Sequence, residues 1–173
     1  MGQELQNASA GGTFTMRDFV RESNRIEGIR RDPYPHELAA HTRLLKADAL
    51  TVTAIESFVA SATRNVDGGL HKYSMHGAPI RKAPGMDVRV GNHLPPKGGP
   101  DIVRQLRDLL AAISERSMTP REAHIHYERL HPFMDGNGRS GRAIWLWQMG
   151  GIERAPLGFL HHFYYQSLEA RQP

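Results

Sequence analysis

Apolar residues recur at intervals of three and four along most of the chain, the spacing of helices that bury one face. Thr15 and Asp18 have capping-box spacing, which predicts a first helix over about 15–31, ended by Asp32 and Pro33. A second helix is predicted to start at Pro35, and its inward face is read as Leu38, Thr42 and Leu45. A third, from about residue 53, is predicted to bury Ile55, Phe58, Val59 and Ala62.

The second half of the chain repeats this pattern. A helix opening at Pro100 carries the apolar stripe Ile102, Leu106, Leu109, Leu110 and Ile113. Thr119 is a predicted N-cap, followed by Pro120 and the capping-box partner Glu122, and this helix is expected to end at His131. A buried helix is predicted from Arg139 to Met149, closed by Gly150. A last helix is expected through Phe159, Leu160, Phe163, Tyr164 and Leu168.

The composition changes over residues 70–99, where glycine and proline recur. Two short segments, 78–81 and 88–90, flank a turn-forming stretch at 82–87, which predicts a β-hairpin followed by an extended exit. The predicted fold is mainly α, a helical bundle with one hairpin. We expect a single domain over 14–173 after a flexible lead-in at 1–13.

Composition limits the classes of protein. The 173 residues are 39% hydrophobic and 23% charged, and no apolar run reaches the roughly 18 residues of a membrane span. The N-terminus has neither a basic start nor an apolar segment, so no secretory signal is expected. The chain has no cysteine, which excludes disulfides and fits a reducing compartment. We therefore expect a cytoplasmic protein without a membrane partner.

The net charge of +4 and a pI near 9.7 permit binding to polyanions. The basic residues are scattered, however, with no run of four or more. This favours a solvated surface with a few phosphate-binding arginines over a nucleic-acid-binding stripe.

The stretch 131–142, HPFMDGNGRSGR, has the residues of a phosphate site. Gly136, Asn137 and Gly138 lie between a helix end and a helix start, so their N–H groups can converge on an anion at the positive end of the second helix. Arg139 and Arg142 are three residues apart and can hold successive phosphates. A nucleoside di- or triphosphate is the expected ligand.

Two further side chains of this stretch indicate a reaction. Asp135 beside a phosphate predicts a divalent cation between them, and Mg²⁺ is the usual ion for phosphate oxygens. His131, whose unperturbed pKa is about 6.5, suits a general base that deprotonates an attacking hydroxyl. Phe133 is expected to be an apolar anchor of the loop.

The same stretch resembles the Fic family signature in full: His, any residue, Phe, any residue, Asp or Glu, Gly-Asn-Gly-Arg, two of any, Arg. The resemblance implies a Fic-type fold and transfer of a nucleoside monophosphate, most often AMP from ATP, to a Ser, Thr or Tyr hydroxyl of a target protein. It also implies the roles, with His131 as base, Asp135 as the Mg²⁺ ligand, and the nucleotide held by Gly136, Asn137, Gly138, Arg139 and Arg142.

Two flanking segments extend the resemblance. Residues 70–97 resemble the family's flap, which would hold the target as an added strand through Ile80, Arg81, Val88, Arg89 and Val90. SNRIEG at 23–28 resembles the family's inhibitory motif, which implies regulatory roles for Ser23, Glu27 and Gly28. In the family this glutamate pairs with the second signature arginine, here Arg142, and blocks productive seating of the γ-phosphate.

Several alternatives stay open. The chain could be a low-turnover module that binds nucleotide or target, or it could transfer UMP, GMP or phosphocholine. Histidines 124, 126, 161 and 162 lack the spacing of a metal site and are assigned to packing or surface. The target protein, a homo-oligomer and the signal that relieves inhibition are not decided by the sequence.

Overall fold

The computed structural model describes residues 14–64 and 76–155. These residues form six α-helices and one 3₁₀ turn at Ile152–Arg154. The helices are α1 (Met16–Ile26), α2 (Pro35–Leu45), α3 (Val52–Thr63), α4 (Pro100–Ser114), α5 (Pro120–Leu130) and α6 (Asn137–Met149). The mainly helical fold predicted from the sequence is confirmed.

Helix α1 begins as predicted and ends earlier. Thr15 caps it and forms the capping box with Asp18. The helix stops at Ile26 because Gly28 takes a left-handed conformation, with φ of 77°. The N–H groups of Gly28 and Ile29 then close on the carbonyls of Arg25 and Asn24 at 2.9 Å each. The boundary near residue 31 was therefore wrong, and Glu27 is the C-cap residue.

Helix α2 starts at Pro35, as predicted, but buries a different face. Its buried residues are Glu37, Ala40, His41 and Leu44, whereas Thr42 is exposed. Buried Glu37 forms a salt bridge with Arg31 at 2.7 Å, and His41 packs edge-on against Phe58. These polar residues were not expected inside. Helix α3 buries the four residues that its spacing predicted.

Helices α4 to α6 agree with the prediction within one or two residues at their ends. The apolar stripe of α4 is buried apart from Leu109, which is partly exposed. Thr119 caps α5 through a capping box with Glu122, and the helix ends directly before His131. Gly150, at φ of 83°, closes α6. Eleven residues of this helix are buried, namely Asn137 and the ten consecutive residues from Arg139 to Gln148. Helix α6 is thus the central helix of the described fold.

Residues 76–99 do not form the predicted hairpin in the described structure. Two isolated antiparallel bridges are present, one between Ile80 and Phe133 and one between Val90 and His93. Segment 78–81 therefore pairs with the loop after α5 and not with 88–90. Apolar burial explains this partner, since Ile80 is 2% and Phe133 0% exposed. The first residues of the predicted flap, 70–75, and the predicted last helix lie outside the described residues.

Two groups of buried residues hold the helices together. The larger spans α2 to α6 and includes Phe58, Leu106 and Ile144. The smaller joins α1 to α6, where Phe19 and Val20 pack with Trp145, Leu146 and Ala155. No described helix is long and apolar enough to cross a membrane.

Candidate active site

The loop from His131 to Gly136 joins α5 to α6 and contains the predicted base. His131 is the C-cap of α5 and has a left-handed backbone, with φ of 48° and ψ of 62°. Non-glycine residues adopt this conformation rarely, and they do so most often where the surrounding structure fixes a functional side chain. The His131 N–H still donates to the Tyr127 carbonyl at 2.9 Å, so the residue is held by the last turn of α5.

Phe133 and Asn137 fix the loop from below. The Asn137 amide donates to the Phe133 carbonyl at 2.8 Å and accepts from the Phe133 N–H at 2.9 Å. Both side chains are buried, with Asn137 2% exposed and Phe133 0% exposed. The Asn137 side chain therefore shapes the loop, and only its backbone N–H is placed to meet a ligand.

The N-terminus of α6 has the geometry of an anion site. Gly136 precedes the helix with φ of 80°, and a Cβ there would lie 2.6 Å from a methyl carbon of Thr63. No side chain of the described residues caps the helix. The first-turn N–H groups, from Asn137 to Arg139, have no intrahelical acceptor and carry the positive end of the helix dipole. This arrangement can bind phosphate oxygens.

Asp135 lies at the edge of this site. Its side chain is 54% exposed, its Oδ1 accepts from the Gly136 N–H at 2.6 Å, and its Oδ2 is 3.9 Å from Arg139. No group of three or more acidic, histidine or cysteine ligands occurs in the described parts of the chain. One exposed carboxylate beside a phosphate site fits Mg²⁺, which typically takes one or two carboxylates and completes its shell with phosphate and water.

Arg139 is 7% exposed and turns toward α3, where its guanidinium donates to the Ala62 carbonyl. Burial lowers the pKa of its guanidinium, and the charge of Asp135 opposes that effect. Arg139 thus joins the positive end of α6 to the carbonyl end of α3. It also keeps a positive charge beside the anion site.

Arg142 is buried and contacts two residues of the SNRIEG motif at 23–28. Its Nε donates to the Ser23 hydroxyl at 2.8 Å, and its Nη2 donates to the Ser23 carbonyl at 2.9 Å. Nη2 also forms an ion pair with Glu27 Oε1 at 2.6 Å. The two motif residues on α1 therefore meet the second arginine of the 131–142 stretch, as the resemblance implied.

Glu27 also lies against the start of α6. A Cβ placed on Gly138 would collide with Glu27 Oε1 and would lie 3.0 Å from Nη1 of Arg142. The carboxylate, with a side chain 30% exposed, thus occupies space beside the helix N-terminus. The protein places its own anion next to the site where phosphate is expected.

Arg81 supports the loop from beneath, a role that was not predicted. Its side chain is 0% exposed and donates to the carbonyls of His131 at 2.7 Å and Leu130 at 2.9 Å. Further bonds reach the carbonyls of Met86 and Pro96 at 3.2 and 2.9 Å. The guanidinium is buried and does not face a docked target, so the docking role predicted for this residue as part of the flap stays a prediction. No sequence signal marks a buried arginine in a segment rich in turn residues.

The titratable groups around the loop are strongly perturbed. Burial lowers the pKa of His131 to about 4, helped by the nearby charges of Arg81 and His93, while the Glu128 backbone and the Glu27 carboxylate oppose the shift. Burial also raises the pKa of Glu128 to about 7. His131 is therefore neutral and able to accept a proton at physiological pH. Glu128 was not singled out from the sequence, although it lies three residues before His131.

The remaining predicted residues occupy different places. Ile80 is buried under Phe133, whereas Arg89 is exposed and Val88 and Val90 are partly exposed. His124 is buried and His126 exposed. The second histidine pair, at 161–162, lies outside the described residues.

The family comparison agrees with this geometry. The family model described as "Fic/DOC family" matches residues 50–149, which is more than half of the chain. The match contains α3 to α6, the 76–99 segment and the 131–142 stretch, and it leaves α1 outside. No curated protein matches the chain significantly.

Proposed function

The chain belongs to the Fic/DOC family, and from that premise we propose that it transfers AMP from ATP to a Ser, Thr or Tyr hydroxyl of a target protein. We propose also that Glu27 restrains the reaction by holding Arg142. Fic-type enzymes transfer nucleotide or other phosphate-containing groups to proteins. The Gly136-Asn137-Gly138 sequence supports attack at the α-phosphate, and the finer choice of AMP rests on the family resemblance.

The location of the Glu27 carboxylate carries the proposal. It pairs with Arg142, abuts Gly138 and acts on the pKa of His131. One carboxylate therefore pairs with the proposed phosphate-binding arginine, lies against the N-terminus of α6 and acts electrostatically on the proposed base. A phosphate chain in this space would meet all three groups, and it would have to displace Glu27 from Arg142.

In the proposed reaction His131 takes the proton of the target hydroxyl on Nε2. The hydroxyl oxygen forms a bond to the α-phosphorus of ATP, the bond from that phosphorus to the bridging oxygen breaks, and pyrophosphate leaves. The N–H groups at the start of α6 and the guanidinium groups of Arg139 and Arg142 hold the phosphate oxygens. Asp135 would hold Mg²⁺, which supplies charge neutralisation of the phosphate chain when bound.

The target is proposed to bind as a strand along residues 86–90. Arg89 is exposed, and the N–H groups of residues 87–89 make no hydrogen bond within the described structure. An extended segment with unpaired N–H groups can pair with another chain. Ile80 and Arg81 would support this strand from inside and not touch the target.

Intact-mass spectrometry tests the proposal. The Glu27→Gly variant is incubated with Mg²⁺ and target-containing lysate, separately with ATP, CTP, GTP and UTP. We expect a mass gain of one AMP with ATP, and none in the matched variant that also carries His131→Ala. A gain with another nucleotide would replace the AMP assignment. If no nucleotide is transferred while ATP still binds, the low-turnover binding module becomes the better description.

A further inference from the structure

Glu128 is a buried carboxyl next to the proposed base. Its side chain is 10% exposed, and its Oε2 lies 3.8 Å from Nδ1 of His131, whose side chain is 16% exposed. This distance is too long for a hydrogen bond but short enough for a strong interaction between charges in a buried site. Glu128 Oε1 has no hydrogen-bond partner among the described residues. A buried carboxyl oxygen without a hydrogen bond lowers the stability of the fold, so its presence here calls for a functional explanation.

Gly141 provides the space for this carboxyl. A Cβ at Gly141 would lie 2.6 Å from Glu128 Oε1 and 3.2 Å from both His124 Cε1 and Tyr127 Cδ1. Any larger residue at this position of α6 would push the carboxyl away from its place. The helix therefore has a gap in its side-chain surface where α5 presents Glu128.

We propose that Glu128 is a positioning residue for His131, holding the neutral ring with its proton on Nδ1 and balancing the positive charge that the ring gains during transfer. The Glu128 carboxyl lies on the Nδ1 side of the ring, with Oε2 3.8 Å from Nδ1, and the Glu128 backbone raises the pKa of the ring. A carboxyl on this side favours the tautomer that leaves Nε2 free to take a proton. The inference rests on the proposed function, since it assumes that His131 is the base.

The charges around the pair come from three other elements. Arg142 on α6 lowers the pKa of Glu128, whereas burial and Glu27 at the end of α1 raise it. On the His131 side, Arg81 and His93 from the 76–99 segment lower the pKa of the ring. Glu128 and His131 are close enough to titrate as a pair, in which one proton is shared between two groups.

The pairing affects the strength of the base. A His131 ring whose pKa is near 4 would, acting alone, be a weak base at neutral pH. When Glu128 is ionised, the proton that leaves the target hydroxyl enters a pair that already carries a negative charge. The resulting imidazolium faces a carboxylate 3.8 Å away, and no net positive charge is buried. Displacement of Glu27 would also help, because its charge opposes ionisation of Glu128.

A histidine NMR titration tests the pairing without any need for activity. The His131 ring signal is identified by its loss in His131→Gln and followed from pH 5 to 9. We expect an inflection near pH 7 in the wild type, where Glu128 ionises, and no such inflection in Glu128→Gln. Glu115→Gln, an exposed glutamate at the end of α4, is the matched control and should keep the wild-type curve.

Kinetics of the same substitution in the Glu27→Gly background tests the catalytic consequence. We expect Glu128→Gln to lower kcat by about 10- to 100-fold, within or below the range attributed to a general base, with little change in KM for ATP. In the Glu27→Gly enzyme, kcat is expected to rise through pH 7 as Glu128 ionises. This rise should be absent when Glu128→Gln is added. Glu128→Asp should restore part of the rate, and Gly141→Ala should reproduce the loss by displacing the carboxyl.

The inference is overturned if the His131 signal titrates identically in wild type and Glu128→Gln. It is also overturned if Glu128→Gln alters kcat and KM together while the pH profile keeps its shape, as a merely structural role would do. Circular dichroism of each variant shows that it is folded, and Glu128→Asp replaces any variant that is not. If no variant transfers a nucleotide, the proposed function fails, and the titration still decides the pairing.

Discussion

Glu27 and Arg142 are 115 positions apart in the chain and form an ion pair, with 2.6 Å between Oε1 and Nη2. The arginine side chain is 3% exposed and the glutamate side chain 30% exposed. The contact joins the end of α1 to the centre of α6. Under the proposed function, Arg142 is not available to bind phosphate as long as Glu27 stays in place.

Glu27→Gly is expected to raise the rate of nucleotide transfer by roughly 30- to 1000-fold. This corresponds to about 2 to 4 kcal/mol, the value of one well-placed donor to a transition-state anion, which the variant would regain through Arg142. The rate is measured with radiolabelled ATP and target-containing lysate. Glu115→Gly is the matched control, because Glu115 is likewise a helix C-cap but is exposed at the end of α4. Equal labelling by all three proteins would contradict the restraint.

Ser23→Ala should release the enzyme in part. The Ser23 hydroxyl accepts from Arg142 Nε at 2.8 Å, and its loss leaves the Glu27 pair and the carbonyl contact in place. One such bond is worth about 1 kcal/mol, so roughly a 5-fold increase in transfer is expected. The same labelling assay measures it. Ser117→Ala, which removes an exposed hydroxyl bonded to the Ala112 carbonyl, should leave the rate unchanged. A Ser23→Ala rate equal to that of Glu27→Gly would mean that the serine is the main restraint.

Arg81→Lys is expected to destabilise the fold by about 2 to 4 kcal/mol, because a lysine cannot satisfy the buried carbonyls that the guanidinium bonds. Urea unfolding followed by circular dichroism gives the free energy. The control Arg89→Lys changes an exposed arginine of the same segment. It should shift the free energy of unfolding by less than about 0.5 kcal/mol. Similar values for the two variants would show that the four carbonyl contacts contribute little.

Stability should fall as the pH drops from about 6.5 toward 4, in part because of His41. Burial lowers the pKa of His41 from 6.5 to about 4, so the unfolded chain binds a proton in this range that the folded chain refuses. The stabilisation that His41 contributes is fully present above pH 6.5 and is lost as the pH falls toward 4. At about 1.4 kcal/mol per pKa unit, the shift of His41 contributes at most about 3 to 4 kcal/mol.

Urea midpoints measured between pH 4.5 and 7.5 check this pH dependence. His124 shifts in the same direction, whereas Glu128, with its pKa raised from 4.5 to about 7, favours the folded state as the pH falls. His41→Gln isolates the contribution of one histidine and should flatten the dependence of the urea midpoint on pH. The control His126→Gln, exposed on α5, should not. A slope unaffected by His41→Gln would mean that the buried ring is protonated in the folded protein.

The helices were predictable because their signals are local. Thr15, Thr119 and the prolines at helix starts act within one turn, and each lies at a helix start where the sequence predicts one. The face of α2 was misjudged for a tertiary reason. His41 and Glu37 are buried because Phe58 and Arg31 lie beside them, and those neighbours come from other parts of the chain.

The hairpin prediction failed for the same reason, since the pairing depends on tertiary neighbours. Its two segments have strand-like composition, yet Ile80 pairs with Phe133, 53 positions later in the chain. The supporting role of Arg81 and the place of Glu128 were missed as well, because an arginine under a loop and a carboxyl beside a histidine are recognised only by their contacts. The meeting of Glu27 with Arg142 was expected only through the family resemblance, since neither spacing nor composition relates the two residues.

The way α1 is attached decides how the proposed inhibition could be lifted. Phe19 and Val20 are 0% and 1% exposed and fill a group of buried residues with Trp145 and Leu146. Proteolytic removal of α1 would open this apolar surface to water, so we expect a shortened chain to aggregate and not to become an active enzyme. Glu27 lies at the end of the helix, directly before Gly28, so we expect it to move away from Arg142 while Phe19 stays buried. A natural activator of the proposed enzyme would then need to reach only the last turn of α1, and the proposed restraint would be reversible.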